Sequence, residues 1–195
     1  MIISISGLPG SGKSTVAKKL AKKLGFERIY IGAILRKVAE QKGISILDLM
    51  KEEETDSSID EEVDKMVTDF GVNKDNFIIE SRTAFHFIPD SLKIFIKVKI
   101  EEGTKRIFAD LKKEERKEEE KTSSVEGLAK KLKERLEIDQ ERYKKYYGVD
   151  YLDEANYDLV IDSTYLTPAE VMRKIMVEVE RVREREEEES NEVMR

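Results

Sequence analysis

The sequence predicts a doubly wound α/β fold, in which a five-stranded parallel sheet is covered by helices on both faces. Two observations point to it. Five short apolar runs recur along the chain, and helical periodicity fills the stretches between them. Strands that alternate with helices pair in parallel, and right-handed crossovers then wind the helices onto both faces. A third observation sets the scale. The 195 residues, 39% of them hydrophobic, suffice for one domain around one core.

Taken in order, Ile2, Ile3 and Ile5 form the first run, and Gly7 ends it. Val16, Ala17, Leu20, Ala21 and Leu24 share one face of a helix that Gly25 stops. Residues 26–31 read as a second strand. From Gly32 to Gly71 the chain is helical and acidic, with apolar stripes at Ile34, Leu35, Val38 and Ala39, at 44–50, and at Ile59, Val63, Met66, Val67 and Phe70. Phe77–Ile79 is the third strand, and Leu92–Val98, entered through Pro89-Asp90, is the fourth. Residues 101–143 are mostly charged, with one later stripe at Leu128, Leu132, Leu136 and Ile138. Residues 112–121 lack apolar side chains and read as a solvated helix or a mobile loop. Leu159–Ile161 is the fifth strand. Thr167-Pro168-Ala169-Glu170 is a capping box with proline at the first helical position. It opens a helix with Val171, Met172, Ile175, Met176, Val179 and Val182 on one side. Glu184 and Glu186–Glu189 then meet the negative end of the helix dipole, so a frayed tail is expected over 184–195.

Composition narrows the function classes. The chain is 40% charged with a net charge of -6, which argues against a general nucleic-acid surface. An anionic ligand must be held by local Arg and Lys against the global field. The absence of cysteine excludes disulfides, thiolate metal sites and a cysteine nucleophile, and the single histidine, His86, excludes a His-rich metal site. His86 itself reads as a surface or packing residue. No segment reaches the ~18 apolar residues of a membrane span, and no basic leader precedes the first strand. A soluble, cytoplasmic monomer is expected.

The chemistry starts at Gly7-Leu8-Pro9-Gly10-Ser11-Gly12-Lys13-Ser14, which fits the P-loop spacing G-x-x-x-x-G-K-[ST]. Glycines let successive N–H groups turn inward onto phosphate oxygens, and the following helix adds its positive end. Lys13 is placed for the β- and γ-phosphates of ATP or GTP, the Ser14 hydroxyl for Mg²⁺, and Thr15 for the α-phosphate. Switch GTPases and motor ATPases share this loop. Here the third strand ends in Ile79-Glu80-Ser81-Arg82, and no guanine-reading N/T-K-x-D follows. That favours a small-molecule kinase.

Transferring a phosphoryl group to an acceptor needs fixed cations. Arginine supplies them in a bidentate fork whose charge does not change. Arg36 and Arg82 each follow a strand, where open α/β sheets carry ligands. Arg135 and Arg142 lie seven apart on a late helix and so share a face. The competing reading of each is a solvated charge.

With these residues in view, the chain resembles the cytidylate kinases of the nucleoside monophosphate kinase group, in their archaeal form, over residues 1–165. Gly32-Ala33-x-x-Arg36 is similar to the T-G-A-x-x-R of the bacterial members, and Ile59 to Asp64 resembles the family's acidic helix. Glu80-Ser81-Arg82 matches its E-x-R or G-R segment after the third strand. Arg135 to Gly148 resembles R-x(6)-R-Y-K-x-x-Y-G, and Tyr157 to Ser163 its closing strand. The resemblance implies a P-loop kinase fold with a core of 1–31, 72–109 and 141–183. It also implies a helical monophosphate-binding arm at 32–71 and a lid at 110–140. The reaction implied is ATP plus CMP or dCMP giving ADP and the diphosphate. Gly32, Arg36, Arg82 and Arg142 would hold the acceptor, and Lys13, Arg82, Arg135 and Arg142 would act on the transferring group. Tyr143, Tyr146 and Tyr147 read as lid-to-core packing, and Asp162 and Ser163 as either a border of the adenine site or a cap. Tyr30, Ala33, Thr83 and Asp110 depart from residues common in the family. They leave two rival readings open: a kinase for AMP or a small metabolite, and a non-catalytic ATP-binding factor.

Overall fold

The branched residues of the five apolar runs pair as a single parallel sheet. In the computed structural model, which describes residues 1–112 and 124–193, β1 (Ile2–Gly7) lies at the centre. β2 (Glu27–Tyr30) and β3 (Phe77–Glu80) lie to one side, and β4 (Leu92–Lys97) and β5 (Leu159–Asp162) to the other. The order is β2-β3-β1-β4-β5, with Ile5 opposite Glu80 on one side of β1 and Ile94 on the other. The chain leaves β1 toward β2, returns to β3, and then crosses to β4. The crossovers beside β1 therefore diverge and open a crevice at its carboxyl end.

Alternation along β3 divides the core. Ile78 faces α1 (Lys13–Leu24) and α8 (Pro168–Val193) in one apolar cluster with Ile3, Ile5 and Ile94. Phe77 and Ile79 face the other way, onto Val63 and Val67 of α4 (Ser58–Asn73) and Ala84 of the short α5 (Ala84–Phe87). All four β3 residues are buried, as expected of a parallel strand covered on both faces. The fold class read from the sequence is therefore the fold observed.

Three elements differ from expectation. α4 is a layer of the core, not part of a projecting arm, because Val63 and Val67 pack directly on the sheet. α2 (Ile31–Lys42) starts on the same cluster through Ile31, and farther along its Ala39 packs with Leu49 and Met50 of α3 (Ile46–Glu53) and with Ile138 of α7 (Val125–Tyr147). α7 also runs unbroken across 140/141, where a lid-to-core boundary was expected. Finally, α8 is helical to Val193, past residue 184 where the helix was expected to end. Its charges are interleaved: Arg181 pairs with Glu178 at 2.6 Å, and Ser190 Oγ donates to the Glu186 carbonyl at 2.8 Å. The capping box of α8 forms as read, with Thr167 N donating to Glu170 Oε2 and Glu170 N to Thr167 Oγ1. The reading of 112–121 falls, from residue 113 on, outside the described residues. Among the described residues no helix is long and apolar enough to cross a membrane.

Candidate active site

The loop from Gly7 to Gly12 leaves β1 in a shape that only glycine permits at two points. Gly7 has φ +145°, and the Ile96 backbone stands where its side chain would be. Gly10 has φ +74° and lies against the backbone of Gly103, through which α6 (Ile100–Lys112) packs on the loop. Further bonds fix the loop. Leu8 N donates to the Ile96 carbonyl at 3.1 Å, and Ser163 Oγ donates to the Ser11 carbonyl at 2.9 Å. Lys13, first residue of α1, sends Nζ back to the Leu8 carbonyl at 3.1 Å. Ser14 Oγ donates to Glu80 Oε2 at 2.6 Å, and Arg28 Nε donates to Glu80 Oε1 at 2.6 Å. A hydroxyl from α1 and a carboxylate from the end of β3, the strand that adjoins β1, thus meet beside the phosphate loop.

One cleft joins this loop to the acceptor-side residues. Gly7, Pro9, Gly10, Gly12, Lys13, Ser14 and Thr15 line it, and so do Gly32, Arg36, Arg82 and Arg135. Gly32 leaves room for the Tyr30 ring, over which Arg36 lies at 5.0 Å while its guanidinium donates to the Tyr30 hydroxyl. Arg82 Nη1 pairs with Asp139 Oδ2 at 2.9 Å. Leu8 and Ser11 contribute to the loop's shape and do not line the cleft. Arg142 is the correction: it does not line the cleft either. It is 2% exposed, with Nε 3.0 Å from Asp60 Oδ2 and Nη2 3.1 Å from Asp139 Oδ1. A buried guanidinium must be compensated, and here two carboxylates compensate it, so it supports the acceptor wall from behind.

The acceptor wall is rich in buried carboxylates. Burial raises the pKa of Asp60, opposed by the Arg142 charge. Burial also raises that of Glu53, whose carboxylate accepts from Asp60 N at 2.9 Å. Asp64, 8% exposed, is pushed up to about 6, chiefly by burial, with hydrogen bonds from Tyr147 and Thr83 pulling the other way and the Asp60 charge adding to the rise. A carboxyl whose folded pKa is raised binds a proton that the unfolded chain has released between about pH 4 and 6. Its charged form therefore costs stability as pH climbs through that window, by roughly 3 kcal/mol once complete. Asp64→Asn removes this titration. The gap in unfolding free energy between variant and parent is expected to widen from pH 4 to about 6 and then level, in denaturant titrations at stepped pH. A gap that is flat with pH would mean that Asp64 titrates as an ordinary carboxylate.

Several residues of the site were not singled out from the sequence. Glu80 appeared only as part of the E-x-R match, although an acidic residue closing the strand next to the P-loop strand is a readable signal. Asp64 appeared only as the last residue of the acidic-helix match, and Arg28 and Asp139 carry no local signal. The tyrosines read as lid-to-core packing divide between the arm and the core. Tyr146 OH donates to the Glu53 and Glu54 carbonyls, and Tyr147 donates to Asp64, so both tie α7 to the arm and α4. The exposed His86 ring sits edge-on to Phe87. Asp162 caps its loop by accepting from Thr164 N at 2.9 Å.

Comparison with known proteins bears on the family and the fold. Residues 2–165 match the model of the cytidylate kinase-like family. A cytidylate kinase of Methanosarcina mazei is 40% identical over 166 residues, which cover 84% of this chain and 87% of the relative. One from Sulfurisphaera tokodaii is 36% identical over 177 residues, covering 90% and 93%. Among solved structures, shikimate kinase from Acinetobacter baumannii superposes with a TM-score of 0.59 at 16% identity, covering 91% of this chain and 92% of that one. A protein from Eubacterium ventriosum gives 0.65 at 19% identity, covering 92% and 98%. The two structures share the fold; the two sequence relatives and the family match over 2–165 go further, and the chain belongs to the cytidylate kinase-like family, the P-loop nucleoside monophosphate kinases.

Proposed function

We propose that this kinase transfers the γ-phosphoryl group of ATP to CMP or dCMP, giving ADP and the diphosphate, as a cytoplasmic monomer. The observation that carries the reading is the single cleft in which the phosphate loop with Lys13 opposes Arg36, Arg82 and Arg135. The names of the archaeal relatives support the cytidine acceptor.

Each residue does one part of the work. Loop N–H groups and the start of α1 hold the triphosphate. Lys13 neutralises charge on its terminal oxygens, and Arg36, Arg82 and Arg135 draw in the acceptor phosphate and hold it in line for attack. No covalent intermediate is needed. The Ser14 hydroxyl and Glu80 carboxylate are hard oxygen donors 2.6 Å apart, which suits an ion that binds through few protein ligands and the substrate's own phosphates. They would hold Mg²⁺, which offsets negative charge on the phosphate oxygens when bound.

The test is a coupled ADP-release assay with Mg-ATP across CMP, dCMP, UMP and AMP. CMP and dCMP are expected to give the highest kcat/KM. AMP outrunning both would overturn the acceptor assignment, and tight ATP binding without turnover on any monophosphate would overturn the kinase reading.

A further inference from the structure

Asp64 is held differently from the other buried carboxylates in and behind the cleft. Asp60 and Asp139 pair with arginines, and Glu80 pairs with Arg28. Asp64 is held by hydroxyls: Thr83 Oγ1 donates to Oδ1 at 3.3 Å, and Tyr147 OH donates to Oδ2. A carboxylate oxygen can accept two hydrogen bonds, so each has capacity for another donor. The side chain lines the cleft together with Val63 and Leu35. Apolar walls with one fixed polar group at their edge suit a flat ring. The same carboxylate repels the acceptor's phosphate, which the arginines draw, so it faces the uncharged part of the acceptor.

Granted the kinase reading above, we propose that Asp64 reads the acceptor's base by accepting a hydrogen bond from its exocyclic amine. A cytosine-type edge satisfies it. The keto oxygen of uracil sets lone pair against lone pair and leaves the buried carboxylate short of a donor, a mismatch that sites of this kind reject strongly. The pKa of about 6 fits, since burial leaves the Asp64 charge undercompensated until such a donor arrives. Thr83 and Tyr147 are the positioning residues, each fixing one oxygen.

The experiment compares CMP, UMP and the pyrimidin-2-one nucleotide, which is CMP without its amine, on the parent enzyme, on Asp64→Asn and on Tyr147→Phe. Removing the amine is expected to lower kcat/KM about 100-fold on the parent and only a few-fold on Asp64→Asn. That variant can turn its own amide N–H toward a keto oxygen, so its CMP-to-UMP preference should fall about 100-fold. Tyr147→Phe keeps the carboxylate and loosens it, and should give an intermediate preference with an unchanged KM for ATP. An equal amine penalty on parent and Asp64→Asn would overturn the inference, and so would no amine penalty on the parent; a contact with the sugar would produce the first. Failure of the parent to phosphorylate any monophosphate is a separate outcome that overturns the kinase reading itself.

Discussion

Lys13→Ala is expected to lower turnover about 10³-fold, the scale of losing one preorganised charge from a transition state. Lys13 opens α1 and lines the cleft, with its ammonium already turned back over the loop onto the Leu8 carbonyl at 3.1 Å. The chain as a whole carries a charge of -6, so its long-range field opposes the build-up of charge on the transferring group. Only local cations can offset it. Loop N–H groups and the α1 dipole survive the substitution, so ATP should still bind, weakened by about tenfold or less. Single-turnover phosphoryl transfer, measured beside ATP titration calorimetry, separates the two effects. A variant with the parent's rate would remove Lys13 from the mechanism.

What could be read from the sequence follows from how local each feature is. The phosphate loop is contiguous, and its glycines, lysine and serine act through backbone geometry fixed within eight residues. The strands were legible for the same reason: an apolar run of branched residues reports burial without reference to its partners. Arg36 and Arg82 stood out because each directly follows a strand. Glu80, Asp64 and Asp139 did not, since they come from three distant segments that only the crossovers bring together. They are also hidden among 42 acidic residues. Arg135 and Arg142 show how spacing misleads. Seven residues put them on one helical face, yet two turns separate them by roughly 10 Å along the axis. That is far enough for Arg135 to line the cleft while Arg142 is sealed behind it by Asp60 and Asp139. For α4 the apolar period is the same whether the helix covers the sheet or projects from it, so its place in the core had to be seen.

Arg82→Ala is expected to lower turnover by 10²- to 10³-fold while leaving ATP affinity within a few-fold of the parent. Arg82 lines the cleft on the acceptor side, its guanidinium 16% exposed and tied to Asp139 at 2.9 Å. That tie makes the single variant ambiguous. Asp139 is fully buried, and removing one of its two arginines leaves a carboxylate compensated by Arg142 alone. Breaking a buried pair costs up to about 3–5 kcal/mol, so a fall in activity could reflect a loosened α7 and not a missing phosphate contact. The pair Arg82→Ala with Asp139→Asn resolves this. Neutralising Asp139 removes the orphaned charge and should return the melting temperature most of the way to the parent's, because an amide can still accept from Arg142. If Arg82 acts on phosphate, the stabilised double variant stays as slow as the single one. If turnover returns along with the melting temperature, Arg82 is only a clamp for Asp139. Arg82→Lys adds a second axis. It keeps the charge but loses the planar fork, so it should recover part of the acceptor affinity and little of the rate. Full recovery would mean that charge alone, and not bidentate geometry, is what the acceptor phosphate requires at this position.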